Sequence, residues 1–508
     1  MSTAKKFAGQ TAVYGISTIA SRVLSFFLTP LYTYAYRTAA YGILTTMYAY
    51  VSMLNAVLAF GMETTFFRYL NKHADNKKRV YNNAFASVFV ITIVFLLFTV
   101  PFIGNIADFI NVRSKVAQTA ATVGTSHTDF VAYVQLFLAI LVIDAWCAIP
   151  FAKIRADGRP ARYGLIKLAS VLIFIAFNVI TILVIPFWMR HQLAGSVWLS
   201  HWFIKGWVGY VFISELISSV VTLILLLPEL LKLSFDFDRS MLWNMYAYSW
   251  PVLIANMSYL VNENSDKILL GKLLPVNSLS DVGIYGACAK ISIFLSIFVN
   301  AFRLGAEPFF FSHAKNKNAA QTYARIMDYF VIAVCVIFVA LIANINILKY
   351  FVHGHDAQQT ALYWTGLRVV PPLVFGYVSL GIYMNLSIWY KLSDQTKYGL
   401  YISGVGAILT IVLNVIFIPK YSYMASAWTS LIAYTVMMVL SYIWGQKNYP
   451  IPYKLKKNLA YIIFSVVIVY LSFYIFNRNI YIGDGLLLLY AGTAFYFERA
   501  NLKAIFKR

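Results

Sequence analysis

The sequence predicts an all-α polytopic membrane protein with about fourteen transmembrane helices, arranged as two six-helix lobes in parallel pseudo-repeat around a central cavity. Three observations predict it. The 508 residues are 60% hydrophobic and only 12% charged, with a mean hydropathy of +0.70, whereas a soluble protein carries about a quarter charged residues. Apolar runs of about 20 residues, each long enough to cross a bilayer, recur along the whole chain. One pattern, Gly-x-Glu-x-x-Phe-Phe, occurs twice, at 61–67 and 305–311.

Apolar runs and their polar breaks place the spans near residues 8–36, 41–70, 82–104, 129–152, 164–186, 208–231 and 244–274. The remainder fall near 282–312, 326–348, 367–390, 398–418, 424–445, 458–476 and 484–498, the last being short. The first follows Lys5 and Lys6. It reads as a span and not a cleaved leader, because no small-residue cleavage pattern follows and the run continues through Tyr36. With the N-terminus inside, the inner segments hold 25 Lys/Arg and the opposite loops 7, interfacial Arg37 aside, which puts both termini in the cytoplasm. Lys72, Lys77, Lys78 and Arg79, then Lys153, Arg155, Arg159 and Arg162, and later Lys447, Lys454, Lys456 and Lys457 belong to the inner set. The 41 Lys+Arg against 19 Asp+Glu are therefore topology, with some affinity for anionic membrane lipid, and not a nucleic-acid surface.

The longest segment outside the spans, around 105–128, leaves no room for an external catalytic domain, and no G-x-x-x-x-G-K-[ST] motif is present. An enzyme is therefore not expected, nor an organic cofactor. Cys147, Cys288 and Cys335 lie inside spans without C-x-x-C spacing, and His353 with His355 forms a lone H-x-H. Neither pattern points to a metal or a disulfide.

Gly61 and Gly305, Glu63 and Glu307, Phe66 and Phe310, and Phe67 and Phe311 are each 244 residues apart, while "YGI" at 41–43 and "VGI" at 282–284 are 241 apart. The match lays span 2 on span 8. Six is an even number of helices, so the two copies share one orientation in the membrane. The expected organisation is an N-terminal lobe at 1–240 (spans 1–6), a C-terminal lobe at 241–447 (spans 7–12), and spans 13–14 with a basic tail at 448–508. Glu63, Arg68 and Glu307 are candidates for a gate where the lobes close on the cytoplasmic side, with Arg68 also a headgroup anchor.

Charges inside a bilayer are costly and face a cavity or a partner. The basic ones are Arg22, Arg68, Lys167, Lys267, Lys290, Arg303 and Arg368; the acids are Glu63, Asp144, Glu215, Glu263, Asp266 and Glu307. At 1.5 Å per residue, Arg22 and Asp144 lie about 20 Å into spans 1 and 4, and Lys290 about 12 Å into span 8. Arg68, Lys167 and Arg368 sit at span ends, where long side chains reach the headgroups. Glu263 with Lys267, and Arg303 with Glu307, have the spacing of pairs along one helix, which leaves Asp266 without a helical partner. Arg22 has no acid one turn away. It needs Asp144 from another span, or an anionic ligand. A basic cavity suits an anionic substrate, since guanidinium groups grip phosphate through two bonds. Tyr and Trp, 37 and 11 in number, can stack on sugars but also belong at membrane interfaces.

Four segments carry a resemblance: "SWPVLIANMSYLVNENSDKILLGKLL" (249–274), "VGIYGACAKISIFLSIFVNAFRLGAEPFFF" (282–311), "NLSIWYKLSDQTKYG" (385–399) and "NVIFIPKYSYMASAWTSLIAY" (414–434). They resemble bacterial polysaccharide-biosynthesis flippases, the Wzx-type O-antigen or capsule branch of the multidrug/oligosaccharidyl-lipid/polysaccharide exporter superfamily. Ser422 stands where such proteins often have glycine. The resemblance implies an inner-membrane transporter that moves an undecaprenyl-diphosphate-linked oligosaccharide to the periplasmic leaflet by alternating access. It also implies a tail groove at the last two helices, and a polysaccharide polymerase or glycosyltransferases as enzyme partners. By position it marks Arg22, Lys267, Lys290 and Arg303 as contacts to the diphosphate or an anionic sugar. Asp144 and Asp266 are candidates for H+ or Na+ coupling or for an ion pair. Drug exporters and the lipid II flippase share the architecture and are the alternatives.

Overall fold

The computed structural model describes residues 19–21, 23–111, 124–234, 236–274, 278–314, 316–393 and 395–506, and every regular element among them is helical. The helices that matter below are α1 (Leu28–Ala35), α2 (Thr38–Ala59), α3 (Met62–Lys72), α4 (Lys77–Thr99), α5 (His127–Ala156), α6 (Pro160–Val179), α7 (Gly209–Leu230) and α8 (Arg239–Leu273). They continue with α9 (Ser278–His313), α10 (Ala319–Ala343), α11 (Val370–Leu386), α12 (Ile388–Leu392), α13 (Lys397–Tyr421), α14 (Tyr423–Asn448), α15 (Leu455–Tyr470) and α16 (Ile480–Phe506).

Twelve helical stretches among the described residues are long and apolar enough to cross a membrane. The two expected spans not among them have separate reasons. Residues 8–18 and 22 of the first lie outside the described residues, and α8, though 35 residues long, carries Glu263, Asp266 and Lys267 in its second half. Exposed Leu97, Phe98, Leu165 and Leu488 stud the outer faces of these helices, apolar surface that lipid and not water must cover. The chain is a multi-pass helical membrane protein.

It divides into two compact units, Met1–Gly286 and Ala287–Arg508, with the boundary inside α9. In the first unit α5 packs on α4 and α7, α7 on α6, and α8 on α2 and α3. In the second, α14 packs on α11 and α13, and α10 on α11, α15 and α16.

Local chemistry fixes several helix starts. Ser126 and Asp129 form a reciprocal capping box at the head of α5, and the Asp238 side chain accepts the Met241 N–H at the head of α8. Between α2 and α3 the backbone turns left-handed at Phe60 (φ 47°) and Gly61 (φ 67°). Only glycine fits at 61. A Cβ there would lie 3.0 Å from Val252 Cγ1 and 3.2 Å from the Ser249 carbonyl oxygen, in a backbone region that side chains disfavour.

The glycines of "YGI" and "VGI" meet within the first unit. A Cβ on Gly42 would come 1.8 Å from the Leu279 carbonyl oxygen, and one on Gly283 would come 1.9 Å from that of Thr38. The Thr38 and Ser280 hydroxyls hydrogen-bond at 2.7 Å beside this crossing. Small residues at helix crossings in a membrane let backbones approach this closely.

Three buried acids organise two further clusters. Glu229, at the end of α7, accepts from Arg159 (2.8 Å) and Lys232 (2.9 Å) and pairs with Arg162 (3.0 Å). Hydrogen bonding to Glu229 raises the Arg159 pKa above its ordinary value. In the second unit Lys457 of α15 lies 2.6 Å from Glu498 of α16 and 3.6 Å from Asp328 of α10, so one amine serves two buried carboxylates.

Candidate functional site

The duplicated motif makes the same contact twice, once in each unit. In the first, the left-handed turn at Phe60–Gly61 starts α3 and sets Glu63 in its first turn, where a carboxylate complements the helix dipole. Arg155, in the last turn of α5, donates through Nη2 to Glu63 Oε1. The Arg155 guanidinium also faces the rings of Phe67 at 5.0 Å and Tyr163 at 5.8 Å. Phe66 is buried edge-on to Tyr81, with ring centroids 6.1 Å apart.

In the second unit Lys391 of α12 donates to Glu307 Oε1 at 2.7 Å. Phe310 is buried edge-on to Tyr323 at 5.0 Å, and the Tyr323 hydroxyl donates to the Phe310 carbonyl at 2.7 Å. Tyr81 and Tyr323 are 242 residues apart, close to the motif's own interval. The backbone differs between the copies: α9 runs unbroken through Gly305, around which a Cβ would meet nothing within 4 Å.

One of these contacts replaces an expected one. Glu307 pairs with Lys391 and not with Arg303, although Arg303 stands one turn away on the same helix. Arg68, expected at the headgroups, is exposed, and its guanidinium lies 4.0 Å from the centre of the Tyr248 ring. By sequence alone Arg155 belongs with the topology charges, and nothing singles out Lys391. The signal available was only that each cation closes the helix two spans after its glutamate.

Around Glu307 the second unit forms a small open cleft, continuous with its surroundings. Arg303, Glu307, Lys391, Asn385, Phe302 and Phe330 are among its lining residues. Two cations face one carboxylate there. The amide nitrogen of Asn385, a residue only 6% exposed, has no hydrogen-bond partner.

The remaining candidates are dispersed. Arg22 lies outside the described residues, so its expected pairing with Asp144 does too. Lys267 donates to the Glu263 carbonyl (2.5 Å) and to Asp266 Oδ1 (3.0 Å), and the Tyr285 hydroxyl donates to Asp266 Oδ2 at 2.5 Å. The expected Glu263–Lys267 ion pair is thus replaced by a Lys267–Asp266 pair, and Asp266, expected without a helical partner, has two. Asp144 accepts from Ser219 at 2.8 Å, and nearby Glu215, not counted among the expected site residues, accepts from Tyr48 at 2.6 Å. Lys290 is half-buried on α9. No group of three His, Cys, Asp or Glu side chains among the described residues is arranged to hold a metal ion.

Comparisons bear on the fold as a whole. Residues 251–416 match the MatE family model. The structure is similar to the lipid II flippase MurJ in an inward-closed conformation, with a TM-score of 0.70 and 15% identity over 97% of this chain and 100% of that one. It is similar to an inward-facing multidrug-resistance MATE-family transporter of the MOP superfamily, with a TM-score of 0.63 and 13% identity over 86% of this chain and 94% of that one. A MOP-superfamily transporter from Pyrococcus furiosus, described by the reverse polarity of its binding pocket, matches at a TM-score of 0.53 and 15% identity, over 87% and 95%. No curated protein matches the chain. At these identities the likenesses establish a shared fold, that of MOP-superfamily transporters.

Proposed function

We propose that this chain is a flippase. It moves an undecaprenyl-diphosphate-linked oligosaccharide from the cytoplasmic to the periplasmic leaflet of a bacterial inner membrane, with both of its own termini in the cytoplasm. The observation that carries this reading is the extent of the likeness. The flippase fold leaves 3% of this chain uncovered, less than the segment 448–508, whereas the multidrug transporter leaves 14%, more than that segment. The last two helices are thus a feature in common with a lipid-handling relative, and they give a polyprenyl tail a place to lie. A lipid II flippase is the second reading, favoured by that same likeness.

In this mechanism lobes 1–240 and 241–447 rock about a central cavity. Arg22, Lys290 and Arg303 meet the diphosphate or an anionic sugar, and Lys267, already neutralised by Asp266, has the weaker hold. Binding drives the motion only if the substrate or a coupling ion prefers one state over the other. Asp144, with one hydrogen bond among the described residues, is better placed than Asp266 to take H+ or Na+. A polymerase or glycosyltransferases would supply or consume the substrate.

Reconstitution into vesicles tests the reading. The wild type should expose an undecaprenyl-diphosphate oligosaccharide to an external glycosidase, and Arg22→Ala should abolish this at unchanged protein levels. Faster transfer of lipid II than of the oligosaccharide would select the second reading, and transfer of neither would sink both.

A further inference from the structure

Both units seat a glutamate on a cation, and in the first the spare donor is the Nε of the paired Arg155 itself, whereas the second adds donors from two further residues. Two residues before the motif glycine stands Ala59 in the first unit and Arg303 in the second. Six residues before the paired cation stands Ile149, fully buried, in the first and Asn385 in the second. The first unit therefore holds its glutamate with one paired cation and with no polar side chain at either of these two positions. The second has a guanidinium and an amide there, and both line the cleft.

Three features of the cleft point to a ligand. Its charge is unbalanced, with Arg303 and Lys391 against Glu307 alone. The Asn385 N–H group is buried without an acceptor, and such a donor is costly to leave unpaired. The Glu307 carboxylate is about a third exposed, with 37% of its side-chain surface open, so it can leave Lys391 for water. Arg155 in the first unit is committed to the rings of Phe67 and Tyr163 as well as to Glu63; no ring faces Lys391 among the described residues.

We infer that this cleft is the docking site for a phosphate group of a lipid-linked diphosphate, and that Glu307 is a placeholder which the phosphate displaces from Lys391. Arg303 presents a fork that matches two phosphate oxygens, Lys391 supplies a point charge, and Asn385 supplies a neutral donor. The glutamate keeps the cleft from holding two bare cations when it is empty. The lipid-linked identity of the anion rests on the flippase reading; the cleft's preference for an oxyanion rests on its own residues.

Titration of the purified full-length protein in detergent with farnesyl diphosphate, and separately with inorganic pyrophosphate, tests this. Arg303→Ala and Asn385→Leu should each weaken farnesyl diphosphate binding about tenfold or more, the scale of a lost charge-assisted or buried hydrogen bond. Glu307→Gln should tighten binding several-fold, a gain that misfolding does not produce, while Glu63→Gln should leave it unchanged. Wild-type affinity in Arg303→Ala and Asn385→Leu, or no gain in Glu307→Gln, overturns the assignment. Equal affinity for inorganic pyrophosphate overturns the lipid-linked part of it. Vesicle flipping with no response in any cleft variant would refute this docking site alone. The expected binding responses without flipping would refute the transport reading alone.

Discussion

Gly42 and Gly283 meet backbone to backbone: a Cβ on Gly283 would lie 2.9 Å from the Gly42 nitrogen, and one on Gly42 would lie 3.2 Å from the Gly283 nitrogen. Even one methyl group forces the chains apart, because the nearest atoms are backbone carbonyls that cannot rotate away. Gly42→Ala or Gly283→Ala should therefore lower stability by about 1–3 kcal/mol, the usual cost of overpacking. Thermal unfolding in detergent measures it, and a melting temperature equal to wild type would show that the crossing is looser than its geometry.

The Glu63–Arg155 pair is partly exposed on both sides, at 46% and 27%, so its charge coupling should be modest. A double-mutant cycle with Glu63→Gln and Arg155→Lys should return about 0.5–1 kcal/mol. Arg155→Ala should cost more than Glu63→Gln, since it also removes the contacts with Phe67 and Tyr163.

Asp266 is buried between Lys267 and the Tyr285 hydroxyl. Asp266→Ala strands the lysine and should destabilise the protein by about 3–5 kcal/mol, whereas Asp266→Ala with Lys267→Met should recover much of that loss. Equal stability of the single and double variants would show that the lysine reaches solvent unaided.

Lys457 is the cation between buried Asp328 and Glu498. Its replacement by methionine removes this cation from both carboxylates where α10, α15 and α16 meet, a cost of about 3–5 kcal/mol. The loss should be local. Limited proteolysis should cut first in the loops flanking α15 and α16, and Lys457→Arg should protect them.

The helical fold and the internal repeat were legible because both leave marks within a single stretch of chain: apolar runs of membrane length, and Gly-x-Glu-x-x-Phe-Phe written twice. The partners of the two glutamates were not legible. Arg155 and Lys391 come from other helices, and near span ends a functional cation looks like one that merely sets topology. Spacing rules failed at Lys267 for another reason. A residue one position away points elsewhere on an ideal helix, yet the lysine stem is long enough to curl back to Asp266. Asn385 carries no sequence signal at all; only its burial without a partner, beside two cations, makes it conspicuous.

The left-handed residues Phe60 and Gly61 turn the second span into two pieces with an elbow between them, while α9 passes its own motif as one continuous helix. A push along α2 can be absorbed at the elbow before it reaches Glu63. A push along α9 meets no such elbow before Glu307 and the cleft beside it. The first copy of the motif is thus built to isolate its clasp from movement, and the second to transmit movement to it.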